Sequence, residues 1–259
     1  GGGNDRFAIS TFMDLEFPPL TFDYIRENET KFEQTYNWLA DNLSRESMIG
    51  FLNLKVSGDI RYLIPVVRPF SEQNFNELTL PKKSDATYVD CGAYNGDSVS
   101  MFIDFVGGRY GEIYAFEPDG KNFADLKSLI EDSELKNVTL INKGTWDKAD
   151  ILSFDMSEGM DSHLSESGTI KIPVDSIDNV LDGKRADLIK MDIEGAELKA
   201  LQGAVRTIKK WQPILAVCVY HKREDLITLP QYIKSVATCD YKFYLRKYDV
   251  TSEYDLILY

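Results

Sequence analysis

The chain has 259 residues, 43% hydrophobic and 27% charged, which allows one large globular domain with a smaller attachment. Its 29 Lys and Arg against 42 Asp and Glu leave a net charge of −13. Such a surface repels polyanions, which removes nucleic acid and an anionic membrane from the expected partners and leaves a small acceptor.

Cys91, Cys218 and Cys239 are odd in number and far apart, so neither a disulfide framework nor a zinc-type pairing is expected. Cys91 and Cys218 lie in apolar runs and read as buried reduced thiols. No apolar run nears the ~18–20 residues that span a bilayer. Gly1-Gly2-Gly3 reads as an artificial addition where the native N-terminus would stand, and no secretory signal is visible, so a cytoplasmic location is the default expectation.

In chain order, Phe32, Tyr36, Leu39 and Leu43 repeat at helical spacing, with Glu29, Lys31, Glu33 and Asp41 on the other face. A second helix is expected over Ser47–Val56, ending near Gly58. Pro65, Pro69 and Pro81 then mark an irregular stretch. Residues 1–80 are read as a helical N-terminal cap, whether lid, dimer surface or both, and residues 81–259 as the main domain.

From about residue 85 strands and helices alternate. Thr87–Cys91 reads as a buried strand, followed by a turn bearing Gly92 and Gly96 and a helix from Ser98 with Val99, Phe102, Ile103 and Val106 at helical spacing. Glu112–Phe116 and Val138–Ile141 are the next strands, with a helix capped by Asp119 between them. Ile151–Phe154 and Ile170–Val174 look like an inserted strand pair around polar residues 157–169. Asp187–Met191 is a further strand, followed by one helix through Leu198, Leu201, Val205 and Ile208. Pro213–Val219 suits a strand buried on both faces. Arg223–Val236 reads as a helix interrupted by Pro230. Tyr241–Leu245 and Leu256–Tyr259 are joined too briefly for a parallel crossover and should pair antiparallel. The expected class is α/β with a doubly wound sheet.

Four strand ends carry candidate chemistry. At the first, Asp90 could accept hydrogen bonds from a bound cation or from amides, Gly92 and Gly96 leave room for a ligand, and Tyr94 is a loop-tip contact. Ser98 opens the helix at that loop and joins the candidate cofactor residues. Glu117, 27 residues after Asp90, suits the two hydroxyls of a ribose. The turn lacks the dinucleotide pattern GxGxxG, and an acid beside it favours a cationic ligand such as a sulfonium over a pyrophosphate. Trp146 could stack on an adenine and Asp147 accept from its amino group. Asp192 and Glu194 share one face of an extended strand end with Lys190, which could pair with them. Their roles include general base, hydroxyl ligand or metal ligand, and too few ligands are evident to assign a metal. Glu197 reads as a helix-dipole partner. His221 follows the next strand and could act as a base.

Val89-Asp90-Cys91-Gly92-Ala93-Tyr94-Asn95-Gly96, Ala115-Phe116-Glu117-Pro118 and above all Ile189-Lys190-Met191-Asp192-Ile193-Glu194-Gly195-Ala196-Glu197 resemble the FkbM family of S-adenosylmethionine-dependent methyltransferases. Leu201-Gln202-Gly203-Ala204 and Trp211-Gln212-Pro213 fit its pattern, and the resemblance covers about residues 86–259. It implies a Rossmann-like class I methyltransferase sheet, mostly parallel with an antiparallel last strand. It also implies S-adenosylmethionine as cofactor and O-methylation of a sugar, glycan or natural-product hydroxyl. By position it puts Asp90, Gly92 and Gly96 at the methionine part, Glu117 at the ribose and the 145–147 loop at the adenine. The family often has an acid after the fifth strand where this chain has Val219-Tyr220-His221. Asp192, Glu194 and His221 are thus the catalytic candidates. An NAD-dependent oxidoreductase, or a non-catalytic adenosylmethionine-binding module, are the alternatives.

Overall fold

The computed structural model describes residues 18–79, 83–156, 162–164, 170–251 and 254–259. Its centre is strand β1, Tyr88–Cys91, buried at every position. β1 pairs in parallel with β2, Ile113–Phe116, on one side and with β8, Leu188–Met191, on the other. β3, Val138–Ile141, lies beyond β2. β9, Ile214–Cys218, lies beyond β8. Outside β9 come β11, Leu256–Leu258, and then β10, Leu245–Lys247, with β11 antiparallel to both neighbours. The sheet order is therefore β3-β2-β1-β8-β9-β11-β10. Asp90 and Lys190 are register partners in its buried middle.

Helix α4, Asp97–Phe105, follows β1 and buries Val99 and Phe102 against Tyr88. Helix α5, Gly120–Asp132, begins where Asp119 accepts the amides of Lys121 and Asn122. Large aliphatic and aromatic side chains from both sheet faces fill the core.

The N-terminal helices are α1, Phe22–Glu27, α2, Glu29–Trp38, and α3, Asn42–Ser57. The apolar repeat expected as one helix through Leu43 breaks at Leu39. That residue is extended and bridges to Phe243, and Asp41 caps α3 by accepting the Ser44 amide at 2.8 Å. The second helix thus begins earlier than expected, and Gly58 at φ +70 ends it. α3 packs on the β10 edge, where Arg246 bonds Asp41 at 2.7 Å and the Ser44 hydroxyl at 2.8 Å.

The expected inserted pair is part of a separate four-stranded sheet, β4-β7-β5-β6. Its strands are β4, Gly144–Thr145, β5, Asp150–Met156, β6, Ser162–Leu164, and β7, Ile170–Asp175. Residues 157–161 and 165–169 of the polar stretch lie outside the described residues. A short helix α6, Ile177–Leu181, leads into β8. The helix expected after Asp192 is two, α7, Glu197–Gln202, and α8, Val205–Trp211, separated at Gly203-Ala204. Helix α9, Asp225–Val236, runs through Pro230 without a break, held by buried Leu226, Leu229 and Ile233. The penultimate strand is Leu245–Lys247 rather than Tyr241–Leu245: Arg246 and Lys247 look too polar for a buried strand, yet both are buried beside internal partners. Among the described residues no helix is long and apolar enough to cross a membrane.

Candidate functional site

β2, β1, β8 and β9 are adjacent parallel strands, so the residues after them share one rim of the sheet. The turn after β1 carries three left-handed residues, Gly92 at φ +82, Tyr94 at φ +50 and Gly96 at φ +92. A Cβ on Gly92 would stand 2.0 Å from the Asp192 carbonyl oxygen, and one on Gly96 would stand 2.5 Å from Leu129. The chain itself fills both spaces, which locks the β1 turn onto the start of the β8 rim and onto α5.

Asp90 and Ser98, expected at the ligand, turn inward. Asp90 is fully buried, accepts the Ser98 hydroxyl at 2.5 Å and lies 3.2 Å from the Lys190 ammonium. Lys190 Nζ also donates to the Gly92 carbonyl at 2.7 Å. The expected pairing of Lys190 with Asp192 and Glu194 gives way to this one, because register sets Lys190 against Asp90. Burial opposes the Lys190 charge, but Asp90 and Asp192 outweigh it and hold the ammonium protonated above its usual range.

Glu117 ends β2 almost fully buried. Its carboxylate accepts the amides of Tyr94 and Asp119, each at 2.9 Å. Burial outweighs these bonds and lifts its pKa to about 7. Asp147 gives one carboxylate oxygen to Lys199 at 2.7 Å, and the same ammonium stands 5.6 Å from the Trp146 ring centre. The other Asp147 oxygen, Oδ1, is buried and has no hydrogen-bond partner among the described residues.

The rim after β8 bends back at once: Glu194 sits at φ +53 and Gly195 at φ +88. Asp192 accepts the Tyr220 hydroxyl at 3.1 Å. Burial pushes its pKa up, but Lys190 and His221 outweigh it and hold Asp192 below the usual carboxylate range. The His221 side chain is 6% exposed. Its Nε2 lies 3.5 Å from Asp192 Oδ1 and 3.4 Å from Glu194 Oε2. Its Nδ1 lies 2.9 Å from Glu197 Oε1, an ion pair. Burial opposes charge on the ring, yet Glu197, Asp192 and Glu194 lift its pKa to about 10. Those three acids favour the protonated ring, which weighs against the role of base expected from its position.

Glu197, expected as a dipole partner, is a fully buried member of this cluster and also accepts the Ile193 amide at 3.0 Å. Its signal was present: it stands three and four residues before Ala200 and Leu201, on the apolar face of α7. Behind it lies Asp225, also buried, with its pKa raised by burial and by Glu197.

The family description Methyltransferase FkbM domain matches residues 90–243. The chain belongs to the FkbM methyltransferase family. The FkbM match starts at Asp90 and takes in Glu117, Asp147, Asp192, Glu194 and His221. The chain is similar over 92% of its length to a crystal structure of methyltransferase FkbM from Methylobacillus flagellatus, with 29% identity and a TM-score of 0.80. It spans 60% of that protein's length. An rRNA methylase from Streptococcus thermophilus is 13% identical with a TM-score of 0.44, over 70% of this chain and 88% of that one. Fibrillarin from Aeropyrum pernix, solved with S-adenosyl-L-methionine, is 12% identical with the same score, over 69% and 67%. These last two likenesses are too slight to bear on function. No curated protein matches at a significant level.

One junction of the FkbM domain gives a direct test of how its loops are held. A Cβ on Gly203 would lie 2.0 Å from the Trp146 carbonyl and 2.9 Å from Ser176. Gly203→Ala should therefore destabilise the fold by about 1–3 kcal/mol, as overpacking does. Thermal unfolding followed by tryptophan fluorescence reads it; an unchanged midpoint and spectrum would contradict this packing.

Proposed function

We propose that this chain transfers a methyl group from S-adenosylmethionine to a hydroxyl of a small-molecule or glycan acceptor. The observation that carries the reading is the convergence, on one rim, of a cofactor-type cradle after β1 and β2 with the Asp192–Glu194–His221 cluster after β8 and β9. Family membership supports the methyl chemistry. The acids and the imidazole suit a hydroxyl acceptor.

The residues present fit the cofactor. A carboxylate has about four acceptor sites. The Tyr94 and Asp119 amides fill two on Glu117, which leaves a pair for a ribose diol. The orphaned Asp147 Oδ1 suits the amino group of an adenine. Bound there, the cofactor supplies an already activated methyl group, so the protein's work is alignment and proton removal. Tyr220 fixes the direction of Asp192. Asp192 and Glu194, carboxylates near the imidazolium, would orient the acceptor hydroxyl and take its proton. Gly92, wedged against the Asp192 carbonyl, keeps the two halves of the rim in register.

Glu117 makes cofactor affinity pH-dependent. Asp119 pushes its pKa the same way as burial, and Lys190 opposes. The ionised form, favoured above pH about 7, accepts two hydroxyls where the protonated form accepts fewer. Affinity for S-adenosylmethionine should rise with pH through this range, by up to about tenfold from pH 6 to pH 8. Glu117→Ala should weaken binding and flatten the profile. A wild-type profile already flat in calorimetric titrations would contradict the assignment.

Methyl transfer itself is tested with methyl-labelled cofactor and a panel of sugars and hydroxylated natural products. Label in an O-methyl product supports the proposal. Cofactor binding with no label moved to any hydroxyl would favour a non-catalytic binding module.

A further inference from the structure

His221 Nε2 is a buried polar atom with no hydrogen-bond partner among the described residues, and it faces two carboxylates. Its distances to them, 3.5 and 3.4 Å, exceed those of a direct hydrogen bond, which lie near 2.7–3.2 Å. They lie within a few tenths of an ångström of the roughly 3.1 Å between neighbouring ligand atoms of an octahedral ion with bonds of about 2.2 Å. Asp192, Glu194 and His221 each bring one donor atom, all within 4.8 Å of one another.

We propose that Asp192, Glu194 and the Nε2 of His221 form a binding site for one divalent cation of the Mn2+ class. Two carboxylates with one neutral imidazole suit an ion of intermediate hardness, which takes the place of the Nε2 proton as that proton passes to solvent. The surroundings have the form expected behind metal ligands. Glu197 stands beside Nδ1 and sets the ring with Nε2 toward the carboxylates, and the Tyr220 hydroxyl holds Asp192. Glu197 and Asp225, both buried behind the ring, serve as support rather than as a second ion site. Glu194 is 39% exposed and Asp192 30%, so the ion would face the open side of the rim with positions left for another ligand. Its use rests on the methyltransferase reading: it would bind the acceptor's hydroxyl oxygen and ease loss of that proton to a neighbouring carboxylate.

The test is titration of chelator-stripped protein with Mn2+, followed by the electron-paramagnetic signal of the free ion, with Mg2+ and Zn2+ as competitors. One saturable Mn2+ per chain is expected. Asp192→Asn and His221→Gln should each weaken it at least tenfold, and Glu197→Gln by about 10–100-fold, as loss of a supporting partner does. Circular dichroism confirms each variant is folded; if His221→Gln is not, the part-exposed Asp192→Asn carries the same test. No saturable binding of Mn2+, Mg2+ or Zn2+ by the wild type, or wild-type affinity in the folded variants, would overturn the site. S-adenosylmethionine is titrated into the same samples. Metal binding lost with cofactor binding intact counts against this inference alone, and the reverse counts against the methyltransferase reading alone.

Discussion

Lys190→Met should destabilise the fold by about 3–5 kcal/mol, the usual result of removing one partner of a buried ion pair. Lys190 is 4% exposed and Asp90 is fully buried, so no solvent can replace the lost charge. Methionine keeps the apolar stem but abandons both the Asp90 carboxylate and the Gly92 carbonyl. A typical domain is stable by only about 5–15 kcal/mol, so the loss is a large share of the total. Urea denaturation measures it. The double variant Asp90→Leu with Lys190→Met should recover much of the loss, since two apolar residues leave no charge stranded. Wild-type stability in Lys190→Met would contradict the pairing. A double variant as unstable as the single would show that the carboxylate's bond to Ser98 matters more than its charge balance.

Asp192→Asn should lower kcat by about 10²–10⁴-fold, the range for loss of a group that handles a proton in the transition state. The variant amide can still accept from Tyr220, so the rim keeps its shape while losing its negative charge. Affinity for S-adenosylmethionine should stay within about twofold, because Glu117 follows β2, two strands away from the β8 that ends at Asp192. Steady-state kinetics with a productive acceptor, beside a cofactor titration, separate the two effects. A kcat near that of the wild type would remove Asp192 from the chemistry. A matching loss of cofactor affinity would move it into the cradle.

The alternation of strand and helix was legible because β1, β8 and β9 are short runs buried at nearly every position, and Gly92 and Gly96 mark the turn after β1. The antiparallel ending followed from the short connection between the last two strands. The break before α3 was not legible, since Leu39 and Leu43 keep helical spacing whether or not one helix joins them. Asp41 looked like a solvent-facing acid, whereas it caps α3 and pairs with Arg246, 205 residues away. At the site, the sequence told which strand ends carry acids but not which way they point. Asp90 and Ser98 turn inward because the register partner of Asp90 is a lysine 100 residues later. The proton on His221 depends on three carboxylates arriving together, which only the closed rim shows.

On the proposed function, one rim carries two separable halves, a cofactor cradle after β1 and β2 and a reacting cluster after β8 and β9. Calorimetric titration of S-adenosylmethionine into the wild type, Glu117→Ala and Asp192→Asn tests it most directly. Saturable binding is expected for the wild type and for Asp192→Asn, with similar affinity. Glu117→Ala should lose about tenfold or more, in line with two lost hydrogen bonds to a charged group. No binding by the wild type, or equal affinity in Glu117→Ala, would contradict it.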